Sequence, residues 1–299
     1  MELLPILKGA LTFVPGLYRA GANAKGGSIE GRYCYAVWGR HLARWQQAGG
    51  QGVPAVVAEL GPGLSFGVGL AALLGGARDY LALDVARDAA PDVNHRLVDE
   101  LAPLVAARAP LPGADEFPRV LPFPAGEPAW PAERADRAAA VHRALDGADG
   151  DVRIRYLVPW HEATLPGDAA DLVIAQAVLE HVLEPAPVYA ALRRLLRPGG
   201  MLSFTVDGTA HGLTRRWNGH LAYPPALWRV VRGARRWTVN RLPLAAHLHA
   251  LEAAGFEVAC VEREHRDDGI PPAALAQGLP AFSADDHRTA GAYVLARAR

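Results

Sequence analysis

The segment Glu59-Leu60-Gly61-Pro62-Gly63 follows the apolar run Val56-Val57-Ala58, and Asp84 closes a second apolar run, Tyr80-Leu81-Ala82-Leu83, twenty-one residues after Gly63. Glycines after a buried strand let the backbone approach a ligand closely, and a carboxylate at the end of the next strand can take ribose hydroxyls. The chemistry implied is the binding of a nucleoside-bearing cofactor. A dinucleotide fits poorly, because its G-x-G-x-x-G fingerprint seats a pyrophosphate on a helix N-terminus. Here the spacing is Gly61-x-Gly63-x-x-x-Gly67, and Glu59 would repel phosphates. Glu59 suits an ammonium group instead, directly or through water.

Two later blocks extend the pattern: Asp171-Leu172-Val173-Ile174-Ala175-Gln176-Ala177-Val178-Leu179-Glu180-His181-Val182, and Leu196-Arg197-Pro198-Gly199-Gly200. Together with the glycine segment and Asp84, over roughly residues 53 to 207, they resemble the motifs of class I S-adenosylmethionine-dependent methyltransferases. The resemblance implies an α/β, Rossmann-like seven-stranded sheet, mostly parallel with an antiparallel last strand, and S-adenosyl-L-methionine as cofactor. It also implies roles: Gly61 and Gly63 would pass close to the methionyl part, and Asp84 would hold the ribose diol. Glu59 and Gln176 would line the cofactor and the transfer path. Trp160 could stack on adenine, with His161 or Glu162 meeting the exocyclic amine, and His181 would be a structural or cofactor-edge residue. Methyl transfer from a sulfonium is an in-line displacement, so the protein chiefly aligns the reactants and, where needed, removes a proton.

For that proton the candidates are His220 first, then His211, and Asp207 at the end of a strand. An acceptor amine that arrives deprotonated would need no base. Between Gly208 and Leu251 there is no acidic residue, while Arg215, Arg216, Arg229, Arg232, Arg235, Arg236 and Arg241 accompany Trp217, Trp228 and Trp237. Aromatic faces and polar groups in a loop above strand ends suit a sugar. Arg229, Arg232 and Arg236 also fit the solvated face of a helix over 225–236 begun by Pro224-Pro225. Leu7-Lys8-Gly9, Pro15-Gly16-Leu17-Tyr18, Arg32-Tyr33-Cys34-Tyr35 and Trp217-Asn218-Gly219-His220 are similar to a bacterial methyltransferase subgroup associated with surface-polysaccharide and glycoside biosynthesis. That likeness implies an amino or hydroxyl group of a sugar-containing small molecule as acceptor, an aminosugar suiting the acidic residues of one insertion and a phosphorylated or acidic sugar the arginines of the other.

These residues need a scaffold of alternating strands and helices. Residues 53–84 are expected to give a strand, the glycine turn, a helix at Phe66–Leu74 and a second strand ending at Asp84, with further strands at Val152–Val158, Leu172–Ala175, Met201–Val206, Phe256–Val261 and Ala292–Ala298 and helices at Pro187–Leu196 and Leu244–Ala254. Residues 1–52 form an expected N-terminal cap and 53–299 the core. Insertions 86–150 and 207–241 form an acceptor-side lid, the first carrying helices near Val98–Ala109 and Pro131–Leu145. The 31 basic and 31 acidic residues argue against a polyanion partner, nucleic acid included. Cys34 and Cys260 match no zinc spacing, and no metal site is expected. No apolar run is long enough to span a bilayer, so the chain reads as cytoplasmic, with a second copy of itself as a candidate partner. A non-catalytic cofactor-binding module and a nicotinamide-dependent oxidoreductase are the rival readings.

Overall fold

The computed structural model describes residues 1–14, 27–131, 136–235 and 237–299. Pro15 to Tyr18, residues 132–135 of the helix expected from Pro131, and Arg236 lie outside these. The elements run α1 (Leu3–Leu11), α2 (Gly31–Gln47), β1 (Val56–Leu60), α3 (Gly67–Leu74), β2 (Asp79–Leu83), α4 (Pro91–Ala106), α5 (Arg137–Leu145), β3 (Arg153–Leu157), β4 (Ala170–Ala175), α6 (Pro185–Leu195), β5 (Leu196–Asp207), α7 (Pro225–Arg232), α8 (Leu244–Ala253), β6 (Phe256–His265), α9 (Ala284–Arg288) and β7 (Thr289–Ala298). The seven strands form one sheet in the order β3-β2-β1-β4-β5-β7-β6. β1 to β5 pair in parallel, and β7 runs antiparallel to both β5 and β6. This is the Rossmann-like sheet with an antiparallel last strand that the motifs imply.

The near-continuous apolar strands β1, β2 and β4 are buried on both faces, as parallel strands between helical layers must be. Val57, Tyr80, Ala82 and Ile174 face one core with α2, α3 and α4; Ala58, Leu81, Val173 and Ala175 face another with α6 and α8. Two of the sequence blocks meet at the base of the sheet. Asp171 Oδ2 accepts the Val56 N–H at 2.8 Å, and its Oδ1 pairs with Arg197 Nε at 2.8 Å, so one buried acid ties β1, β4 and the turn within β5 together.

Two segments read from the sequence as peripheral are built into the helical layer. α2 packs against α3, α4 and β5, and Tyr35, Trp38 and Leu42 on it are fully buried, so residues 31–47 are packed tightly onto the strand-helix core. The sequence concealed this because α2 is buried nearly all round and shows no polar stripe. α4 begins at Pro91, well before the expected Val98, since proline is pre-organised for the first helical position. α4 packs on α2 and α3, and its Asn94 Oδ1 accepts the Phe66 N–H at 2.8 Å beside the glycine turn. The chain after α4 is held by Arg40, fully buried on α2. Its guanidinium donates to the carbonyls of Pro112, Gly113, Phe117 and Val120. α1 packs on α7, joining the N-terminus to the second insertion.

Candidate functional site

β1 ends in a turn where Gly61 and Gly63 have φ of 68° and 73°, the left-handed region that only glycine enters without strain. Gly61 donates to the Leu83 carbonyl at 2.8 Å, and a Cβ on it would stand 2.8 Å from both Val178 methyls. Around Gly63 the nearest neighbour to such a Cβ is Ser28 Oγ at 3.9 Å, which leaves open room above the turn. Asp84, buried at the end of β2, accepts from Gly63 N–H at 3.3 Å and Val85 N–H at 2.7 Å. Burial raises its carboxyl above the usual range while these backbone donors oppose the rise. Trp160 donates its backbone N–H to the Asp84 carbonyl at 3.0 Å, and its half-buried ring packs on the core beneath. Gly61, Gly63, Asp84 and Trp160 therefore converge at the carboxyl ends of β1 to β3.

Other expected cofactor residues take different positions. Glu59 is buried within the helical layer, where Oε2 accepts the Tyr80 hydroxyl at 2.5 Å, and burial lifts its carboxyl to about 7. It ties β1 to β2 and to the backbone of Gly69 on α3. His161 is exposed, its backbone joined to the Thr164 hydroxyl, and Glu162 beside it pairs with Arg194. Gln176, just beyond β4, places Oε1 2.9 Å from Nε2 of His41. His41 is fully buried on α2, with Nδ1 2.6 Å from Ser203 Oγ, which is itself 2.9 Å from the Tyr293 hydroxyl. Burial depresses His41 to about 4, so it is neutral and holds Gln176 through a chain of hydrogen bonds. Sequence reasoning missed His41. The usable signal was Ser203 and Tyr293, polar groups inside apolar strands that require partners.

A second cluster stands over the ends of β4 and β5. Asp207 accepts the Thr209 N–H at 2.8 Å, and its Oδ2 lies 3.7 Å from His211 Nε2. Asp207, Glu180, Trp217, His220, Asn240 and Arg241 line one pocket. His220 is 2 % exposed; burial first, then Arg241 and His211, push it down to about 3, and its Nδ1 has no hydrogen-bond partner among the described residues. Arg241 lies over the Trp228 ring at 4.9 Å and donates to the Tyr223 carbonyl at 2.6 Å, and burial lowers it to about 10. Trp217 and Trp228 are buried and do not project as expected, whereas Trp237 is 47 % exposed. Arg215 and Arg216 bind Glu2 and the Asp268 carbonyl through backbone N–H and guanidinium respectively. The helix expected over 225–236 ends at Arg232.

Residues 134–204 match the family model described as a methyltransferase domain. Over that stretch the chain is similar to a methyltransferase domain. The match runs through β3, β4, Glu180-His181 and the turn of β5, and the glycine segment precedes it. The cofactor that goes with this domain is S-adenosylmethionine, and the open turn at Gly63 beside the Asp84 carboxylate fits a nucleoside sulfonium at the strand ends. Among solved structures, the chain resembles an S-adenosylmethionine-dependent methyltransferase from Methanosarcina mazei at 12% identity, with TM-score 0.44, covering 83% of this chain and 93% of that one. A methyltransferase from Listeria monocytogenes is similar at 14% identity, TM-score 0.43, with 90% and 100% covered. The phosphoethanolamine N-methyltransferase 2 of Haemonchus contortus, in complex with S-adenosyl-L-methionine, is similar at 13% identity, TM-score 0.44, with 91% and 57% covered. No curated protein matches the sequence. No helix among the described residues is long and apolar enough to cross a membrane.

Proposed function

We propose that the protein transfers the methyl group of S-adenosylmethionine to an amino or hydroxyl group of a sugar-containing small molecule bound over β5. The contact between Asp84 and Gly63 beneath an open turn carries the cofactor half of this reading. Strands lie about 4.8 Å apart, so the ends of β2 and β5, three steps apart with β1 and β4 between, are separated by about 14 Å. That span suits a cofactor with its ribose at Asp84, its methionyl part over Gly61 and Gly63, and its sulfonium above Gln176. The cofactor supplies the reactive methyl group; the protein aligns it. Trp160 would flank the base, and Glu59 would hold the turn rather than touch the ammonium.

The pocket at Asp207 supports the acceptor half. Arg241 offers donors and Trp217 an apolar wall, a lining suited to hydroxyls on a compact ring, while Asn240 spends its amide on the Leu179 and Val182 carbonyls and fixes the loop. A histidine depressed to about 3 is a weak proton acceptor, so the base role passes from His220 to the Asp207–His211 pair, and His220 shapes the wall. The segment from Ala107 to Pro131, reaching Gln176 through the Leu121 carbonyl at 3.5 Å, would border this side as part of a lid.

Incubating the protein with S-adenosylmethionine and a panel of aminoglycosides and nucleotide sugars tests the reading by product mass. Replacement of one hydrogen by one methyl is expected with at least one member. Cofactor binding with no methylated product across the panel would favour the non-catalytic module.

A further inference from the structure

We propose that Glu180, His181 and His211 form a binding site for a divalent first-row transition-metal ion. One donor atom from each lies within 4.8 Å of the other two. Glu180 Oε1 is 4.0 Å from His181 Nε2, and the imidazoles of His181 and His211 have centroids 5.1 Å apart. Metal bonds of about 2.1 Å set donors about 3 to 4 Å apart, so closure requires a small side-chain rotation. His211 has the freedom for it, being 37 % exposed on a turn. Glu180 and His181 follow β4 and His211 follows β5. The sheet places these strands side by side and brings the two loops together.

A second observation points to a ligand. Glu180 is 3 % exposed, and neither of its carboxylate oxygens has a well-formed hydrogen-bond partner among the described residues, the backbone N–H groups of Glu180 and Asp207 making only loose contacts with it. A buried carboxylate so poorly partnered is costly unless a proton or a cation joins it. Two imidazoles and a carboxylate suit zinc, iron, cobalt or nickel, whereas magnesium and calcium prefer all-oxygen sets. Asp207, beside His211, adds a second carboxylate at the rim. The cysteine spacing could not have revealed such a site, since no cysteine takes part. One consequence rests on the acceptor reading above: an ion here would lower the pKa of an acceptor hydroxyl, with Asp207 left to take the proton. Metal binding itself does not depend on that reading.

The test is calorimetric titration of zinc chloride, and separately cobalt chloride, into tag-free protein stripped with a chelator. Wild type should bind one ion that is lost or weakened at least about tenfold in His211→Ala and in His181→Ala. Both variants should melt near the wild-type temperature in the absence of metal, and cobalt should give a visible absorption band that His211→Ala removes. His142→Ala serves as control, because His95 and His142 on α4 and α5 have Nδ1 atoms 2.9 Å apart and form a second imidazole pair. The proposal is overturned by stripped wild type that binds no ion, by unchanged affinity in His211→Ala, or by binding that is lost in His142→Ala instead. Failure of methyl transfer with intact metal binding would count against the acceptor reading alone.

Discussion

Asp84 does two things at once: its side chain caps the backbone of Gly63 and Val85, and it leaves a carboxylate at the mouth of the glycine turn. Removing it should cost cofactor affinity more than fold. Hydrogen bonds to a charged group are worth about 1.5 to 3 kcal/mol, so Asp84→Ala should weaken S-adenosylmethionine binding by about tenfold or more with the melting curve little changed. Equal affinity in the variant would remove Asp84 from the ribose. The buried histidines set a pH dependence. His220 at about 3 and His41 and His247 at about 4 stay neutral in the fold, whereas the unfolded chain titrates near about 6.5. Between those values the unfolded chain binds more protons, so stability falls as pH is lowered from about 6.5 towards 4. Glu59, raised to about 7, acts in the opposite sense: its contribution is full below the unfolded carboxyl range and lost as pH rises through about 7. Urea unfolding across this range should show a shallower acid loss in His220→Asn than in wild type. Identical slopes would mean that His220 is not held neutral by burial.

At the scale of elements, the β1–α3 turn separates packing from binding. Gly61→Ala would place a methyl against Val178 at a positive φ, and strain of that kind costs about 1 to 2 kcal/mol before the clash is added. Gly63→Ala meets the φ cost alone, with open space around it. Thermal or urea unfolding should therefore show Gly61→Ala the less stable of the two, while cofactor titration should show Gly63→Ala the weaker binder for its remaining stability. The reverse order would contradict the cradle. The strands and turns that make this cradle were legible because strand, glycine turn and terminal acid follow one another within about thirty residues. α2 and α4 were not legible as core: Cys34 to Ala43 carry Arg40 and His41 among apolar residues, and both polar side chains are buried only because distant segments, the carbonyls of residues 112–120 and Gln176 with Ser203, satisfy them. Likewise Glu180 and His211 lie thirty-one residues apart, and only the pairing of β4 with β5 brings their loops together.

For the whole molecule, the sheet order sets the division of labour. In the proposed reading the β1–β3 end takes the nucleoside and the β4–β5 end the acceptor, and α1 packs on α7 beside the second end. Exposed leucines on α1, Leu3 above all, show that this outer wall is not itself a core. The cofactor claim underlies every other statement about the site, and direct titration tests it. S-adenosylmethionine and NAD should be titrated separately into the purified protein. Saturable one-to-one binding of S-adenosylmethionine, with NAD at least about a hundredfold weaker, is the expected result; tight NAD binding with no affinity for S-adenosylmethionine would contradict the account.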